Sequence, residues 1–190
     1  MSPRFNDAIS AMDRCNADDP ESPKELLYSQ RMTDALDRFD PDASEALKLA
    51  VRAQHIGRWK LARSDYPMDR PGYKRWRTDL AQLHADIAGK ILAEAGYDSE
   101  AISRTQALIL KKQFRSDSEA QTLEDVACLV FLEHYFADFA KEHSDEKLIR
   151  IIQRTWLKMS ENAHQAALKL DLPDRLGALV ARALDPAANA

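Results

Sequence analysis

Apolar side chains recur every three or four positions along most of the chain, the spacing that lines them up on one face of a helix. Phe5, Ile9 and Met12 form a first short stripe. Ser22-Pro23-Lys24-Glu25 reads as a capping box with proline at the first helical position, opening a helix striped by Tyr28, Met32, Ala35, Leu36 and Phe39. Asp40-Pro41-Asp42 stops it. The next helix, from about Ala43, carries Leu47, Ala50, Val51, Gln54 and His55 on one face until Gly57 ends it. Helix resumes near Tyr73 and runs to Gly96 with Leu80, Leu83, His84, Ile87, Ala88 and Ile91 inward. Asp98 or Ser99 caps a shorter helix holding Ile102, Leu108, Ile109 and Leu110, and a polar patch follows at residues 115–119. Residues 122–143 are apolar on nearly all sides through Val126 to Leu132, which predicts the most buried helix. Asp145 starts an outer helix with Leu148, Ile151, Ile152, Thr155, Trp156 and Met159, and Pro173 opens a last one with Leu176, Leu179 and Val180. No run of β-branched residues alternates, and only five glycines serve turns, so the pattern predicts an all-α chain. Without a repeat or a linker, it is expected to form one helical domain over residues 1–190. The 1–20 helix and the 185–190 tail are expected to be peripheral, the tail frayed.

One stretch departs from this pattern. Residues 54–77, QHIGRWKLARSDYPMDRPGYKRWR, collect Arg58, Lys60, Arg63, Arg70, Lys74, Arg75 and Arg77 against only Asp65 and Asp69. Trp59, Tyr66, Tyr73 and Trp76 are interleaved with them. Guanidinium groups pair bidentately with phosphate or carboxylate and stack on rings, so the cluster suits an anionic ligand. The bland alternative is a solvated linker whose arginines make surface ion pairs of little worth. Arg58, Trp59, Arg63, Tyr66, Arg70, Tyr73, Arg75, Trp76 and Arg77 are therefore the candidate ligand-binding residues.

The net charge of −4 over 190 residues gives no support for broad nucleic-acid binding, which usually needs a basic domain, and leaves room for a local basic site. Two distant cysteines make no disulfide framework, and Cys128 sits in an apolar run as a buried thiol would. Neither a secretory signal nor an apolar run of membrane-spanning length stands out, which makes a soluble cytoplasmic protein the expectation.

Three polar residues share apolar faces. His55 follows Leu47 and Val51, His84 lies with Leu80, Ile87 and Ile91, and Asp125 precedes Cys128, Leu129, Leu132 and Phe136. Each alone reads more readily as a satisfied core residue, or as an aspartate helped by a helix dipole. Together, imidazole and carboxylate on separate helices are how helical proteins build metal sites. Glu133 and His134 are adjacent and face different ways, while His143 and His164 sit among charges and read as solvated. No glycine-rich phosphate loop, Gly-x-Ser-x-Gly elbow or Cys-x-x-Cys pair occurs.

With these residues in view, the chain resembles the DUF4202 family. The strings that carry the likeness are Ala53-Gln54-His55-Ile56, Arg58-Trp59, Arg63-Ser64-Asp65-Tyr66-Pro67-Met68, Gly72-Tyr73, Arg75-Trp76-Arg77-Thr78 and Leu123-Glu124-Asp125-Val126-Ala127-Cys128 running on to Glu133. A more distant likeness is to the HD-domain superfamily of metal-dependent phosphohydrolases. It implies an HD-like helical core in which Tyr28 stands at the first-histidine position, His55-Ile56 at the His-Asp turn, His84 at a following histidine and Asp125 at the final aspartate. Two ligand positions of that pattern are thus replaced, by Tyr28 and Ile56. His55, His84 and Asp125 would remain to hold one divalent ion (Mn, Fe, Zn or Mg) or to do acid–base work.

The expectation is a hydrolase-like protein that acts on a phosphorylated or nucleotide-like anion, the arginines clamping it and an aromatic ring stacking on a base. An iron variant for oxygen chemistry ranks lower for want of ligands. The alternative is a degenerate HD-like module that binds a nucleotide or an RNA end without turnover. A helical interaction protein with aromatic anchors ranks last, because the aromatics are not laid along one helix face.

Overall fold

The computed structural model describes residues 2–111 and 116–185, so arginine 115 of the polar patch and most of the C-terminal tail lie outside the described residues. Those described form helices and turns with no strand. The chain packs as two compact units, residues 1–123 and 124–190.

In the first unit, α1 (Pro3–Ala17) starts where Ser2 accepts a hydrogen bond from the Phe5 N–H, with Pro3 in the first turn. Its buried stripe is Phe5, Ala8 and Met12. α2 (Lys24–Phe39) buries Met32, Ala35 and Leu36, and α3 (Glu45–Arg52) is capped by Ser44 through the Leu47 N–H. α4 (Arg70–Glu94) is capped by Asp69 through the Gly72 N–H, and α5 (Ser99–Ile109) by Asp98 through Ala101. α4 packs on α5, α3 on α5 and α2, and α1 on α2, α3 and α4. Leu36, Leu47, Leu92 and Leu108 are fully buried, each contributing about 1.5–3 kcal/mol over exposure. Surface ion pairs give about 0–1 kcal/mol, so apolar contact sets the frame.

Two buried polar links fix the turn after α3. Arg52, 8% exposed, bonds Asp13 of α1 with Nε (2.8 Å) and Nη2 (2.6 Å), and Thr33 of α2 with Nη1 (3.1 Å). Asn16 of α1 accepts the Gly57 N–H at 3.0 Å. Gly57 itself has φ 62°, and a Cβ there would lie 2.8 Å from Ile87 Cδ1, so the turn needs glycine twice over.

Several boundaries differ from the periodicity. Pro23 precedes α2 without a side-chain cap, because Asp19 rather than Ser22 supplies the local hydrogen bonds. α3 stops at Arg52, which leaves Gln54 and His55 in the turn and not on a helix. α4 begins at Arg70, three residues before the expected start, since Asp69 and Pro71 are helix-start signals read as loop.

The second unit takes in the end of α6 (Ser118–Val130), one π-helical turn (Phe131–Tyr135) and α7 (Phe136–Lys141). α8 (Asp145–Trp156), α9 (Glu161–Ala167) and α10 (Asp174–Leu184) follow. The π turn interrupts what the pattern predicts as one helix. Val126, Val130, Phe136 and Leu148 are fully buried, and α8 packs against α10. Here Asp125, 1% exposed, accepts the Ser160 N–H at 2.8 Å. His164 is not solvated as its charged neighbours imply: its ring stacks on Trp156 at 4.1 Å, and Nε2 lies 2.9 Å from the Trp156 carbonyl. Among the described residues no helix is long and apolar enough to cross a membrane.

Candidate functional site

The turn after α3, the first half of α4 and the end of α5 enclose a cavity of about 320 Å³ in the first unit. Gln54, His55, Arg58, Arg77, His84 and Lys111 are among the residues that line it. Lys111 holds φ 53° just past α5, a left-handed conformation that costs a non-glycine residue about 1–2 kcal/mol.

His84 is 4% exposed. Its Nδ1 lies 2.6 Å from the Ile56 carbonyl and donates to it, because a carbonyl only accepts. That places the lone pair on Nε2, which is buried with no hydrogen-bond partner. Gln54 Oε1, on the same cavity wall, is also buried and unpartnered. Buried polar atoms are paired in the great majority of cases, so two orphans on one cavity are a site signal.

His55 stacks flat on Tyr28 of α2, centroids 4.1 Å apart, and lies 6.0 Å from the His84 ring. Its Nδ1 is 3.2 Å from Glu25 Oε2, while Glu25 Oε1 is 3.7 Å from Arg58 Nε. The Arg58 guanidinium also lies 4.9 Å above the Trp76 ring. Burial, followed by His55, lowers the His84 pKa to about 4. Burial also holds His55 well below the ordinary imidazole value, helped by Arg58, Arg77 and Lys111. The Glu25 carboxylate beside His55 pulls the other way; burial and three cations outweigh it. Both imidazoles are therefore neutral near pH 7. Burial raises Glu25 itself, against the pull of Arg58 and His84.

A second cavity of about 320 Å³ lies among Lys24, Glu25, Arg58, Trp59, Arg63 and Trp76. Arg58 borders both. Trp59 Nε1 is buried and unpartnered, and Lys60 Nζ lies 5.1 Å from its ring.

Three of the expected ligand residues are committed to holding the loop before α4 and its contact with that helix. Arg63 donates to the carbonyls of Tyr66 (3.0 Å), Pro67 (2.8 Å) and Asp69 (3.4 Å). Tyr66 donates to Asp79 at 2.8 Å, and Trp76 Nε1 to the Leu61 carbonyl at 3.0 Å. Arg70, Tyr73 and Arg75 are exposed on the first turns of α4.

A family profile described as "Domain of unknown function (DUF4202)" matches residues 6–180. The chain belongs to the DUF4202 family. No curated protein and no solved structure matches it.

In this DUF4202 chain the structure brings His55, His84, Arg58 and Arg77 to one cavity wall. Asp125 belongs to the second unit, where its carboxylate holds the start of α9. Among the described residues, no three His, Cys, Asp or Glu side chains are grouped so as to hold a metal ion. The periodicity missed Glu25, which fixes His55 and Arg58, and missed Gln54 and Lys111 as cavity residues. Glu25 reads locally as an N-terminal helix carboxylate, and only the fold sets it against a histidine thirty positions on. Tyr28 was legible as an inward residue, though its stacking partner was not.

Proposed function

We propose that this DUF4202 chain binds a phosphorylated, nucleotide-like small molecule in the first cavity. The observation that carries the reading is His84 Nε2, buried and unpartnered, on a wall shared with Arg58, Arg77 and Lys111. The cations suit a phosphate, and guanidinium pairs with it bidentately. The neutral Nε2 is an acceptor, so it asks for a donor on the ligand: a sugar hydroxyl, a base N–H or a protonated phosphate oxygen. A ligand with both features is phosphorylated and hydroxylated or aminated, as a nucleotide is.

Metal-dependent hydrolysis, the activity the HD-domain likeness implies, is the second reading. The arrangement that favours it is that both Nδ1 atoms are held, by the Ile56 carbonyl and the Glu25 carboxylate, in the way metal-ligating imidazoles usually are. Against it, Glu25, the carboxylate beside His55, is engaged with His55 Nδ1 and Arg58, and among the described residues no three His, Cys, Asp or Glu are grouped so as to hold an ion. Binding therefore leads the two readings, on the unpartnered His84 Nε2 and the cations around it.

The test measures binding of nucleoside monophosphates and of inorganic phosphate by calorimetry. His84→Asn keeps an N–H near the Nδ1 position for Ile56 and removes Nε2. It is expected to stay folded and to weaken mononucleotide binding about tenfold or more, as losing a buried hydrogen bond does. Arg77→Ala should weaken binding of both ligands. If no phosphate ester binds better than chloride or sulfate controls, the reading is wrong. Metal content and phosphatase activity after loading with Mn²⁺, Fe²⁺ or Zn²⁺ decide between binding and turnover.

A further inference from the structure

The start of α4 is rich in cations. Helix N-termini carry partial positive charge and favour acidic residues. In α4 the cap Asp69 meets that preference through the Gly72 N–H, but the helix then opens with Arg70 and adds Lys74 one turn on, with no acidic residue in its first turn. Arg70, Lys74, Arg77 and Ala81 follow at intervals of four, three and four, so they share one helix face. At 1.5 Å per residue, the cations span about 10 Å along that face. Arg77 and Ala81 line the first cavity, and the row therefore runs out from it. Arg70, Lys74 and Arg77 are all exposed, and none makes an ion pair among the described residues. Three acids of the same helix and its cap have other partners: Asp69 caps Gly72, Asp79 takes the Tyr66 hydroxyl and Asp86 takes Gln82. Tyr73, 48% exposed, lies one turn from both Arg70 and Arg77, with the Arg63 guanidinium 5.9 Å over its ring and Trp76 5.9 Å away at a tilt.

A single phosphate does not need this row, because the cavity cations already serve it. A spaced line of cations with a half-exposed aromatic ring is how proteins track the backbone of a single-stranded nucleic acid. We infer that the natural ligand is the phosphorylated end of a single-stranded nucleic acid, its terminal phosphate in the cavity with His84 and its following phosphates along Arg77, Lys74 and Arg70. Tyr73 offers a stacking face to one of the first bases. This rests on the cavity reading above and adds to it what lies outside the cavity. It agrees with an acidic chain, since a short local row tracks an end without a basic domain.

The test compares a 5′-phosphorylated 12-nucleotide single-stranded RNA, its 5′-hydroxyl counterpart and adenosine monophosphate on the full chain. The phosphorylated RNA is expected to bind at least tenfold tighter than the other two. Arg70→Ala with Lys74→Ala, both exposed positions, should abolish most of the RNA's advantage over the mononucleotide. The double variant should also flatten the slope of log affinity against log salt by about 1.4, from a factor of 0.7 per phosphate contact. If the mononucleotide binds but the RNA gains nothing, or the double variant keeps the gain, the inference falls and the cavity reading stands. If neither ligand binds, both fall. Equal binding of the 5′-hydroxyl RNA overturns the assignment of the end to the cavity. Inorganic tripolyphosphate competing as well as the RNA overturns the nucleic-acid assignment in favour of a small polyphosphate. Circular dichroism on each variant separates lost binding from lost fold.

Discussion

The two nitrogens of His84 do different work, and pH separates them. Nδ1 ties the ring to Ile56, while Nε2 stays unprotonated because burial lowers its pKa to about 4. A folded pKa below the unfolded value means that the unfolded chain takes up the proton first. The contribution is whole above about pH 6.5 and is lost as pH falls toward 4. Its size is on the order of 3 kcal/mol. His55 shifts in the same direction, and Glu25, raised by burial, opposes them only over a window above 4.5. Urea midpoints should therefore fall between pH 6.5 and 5, and His84→Asn should flatten that fall; a wild-type curve without slope there would refute the buried neutral ring. The sequence showed that His84 faces inward, because its helix is regular. It could not show that His55 leaves its helix to stack on Tyr28, since the end of α3 is set by Asn16 of another helix gripping Gly57.

At the level of elements, the connection before α4 is held by main-chain acceptors and tight packing. Arg63 gathers three carbonyls, and a Cβ on Gly72 would come 2.1 Å from the Pro67 oxygen. Gly72→Ala must push the loop off the helix, at about 1–3 kcal/mol, the usual cost of overpacking. Arg63→Ala should lower the urea midpoint as well, and Arg63→Lys should not restore it, because an ammonium lacks the planar fork. Hydrogen exchange across residues 63–72 reads both effects; unchanged protection would show that the arginine is ornamental. Most helices and their faces were legible because the 3.6-residue period is strong in α3, α8 and α10, but α9 was missed and α6 and α7 were read as one helix. Pro71-Gly72 was misread as loop because glycine inside a first turn is rare, and only the Pro67 carbonyl against it explains the choice. The π turn at Phe131–Tyr135 leaves no mark on an apolar run.

For the whole molecule, overall charge and local field have opposite sign. The chain carries −4, yet the candidate site faces its ligand with arginine and lysine. A ligand that binds only the folded state adds about 2.7 kcal/mol at one hundred times its dissociation constant. At roughly 2–4 °C per kcal/mol for a chain of this size, the melting midpoint should rise by about 5–10 °C with saturating mononucleotide. The rise should shrink as salt increases, since exposed cations are screened; a salt-independent rise would place the ligand elsewhere. The absence of a repeat or a linker predicts one all-α chain, and the described residues form helices and turns without a strand. The division into two compact units at residues 123 and 124 falls within α6, a helix whose pattern runs on through it.

The Arg63 staple has a consequence for how this loop tolerates change. Its donors reach carbonyl oxygens, which every amino acid possesses, and no side chain of Tyr66, Pro67 or Asp69 takes part in those three bonds. The loop's path is thus insured by one residue and indifferent, in this respect, to the identity of the three it holds. Drift can rewrite the chemistry displayed there while the scaffold beneath keeps its shape, which makes this segment a ready place for ligand preference to diverge.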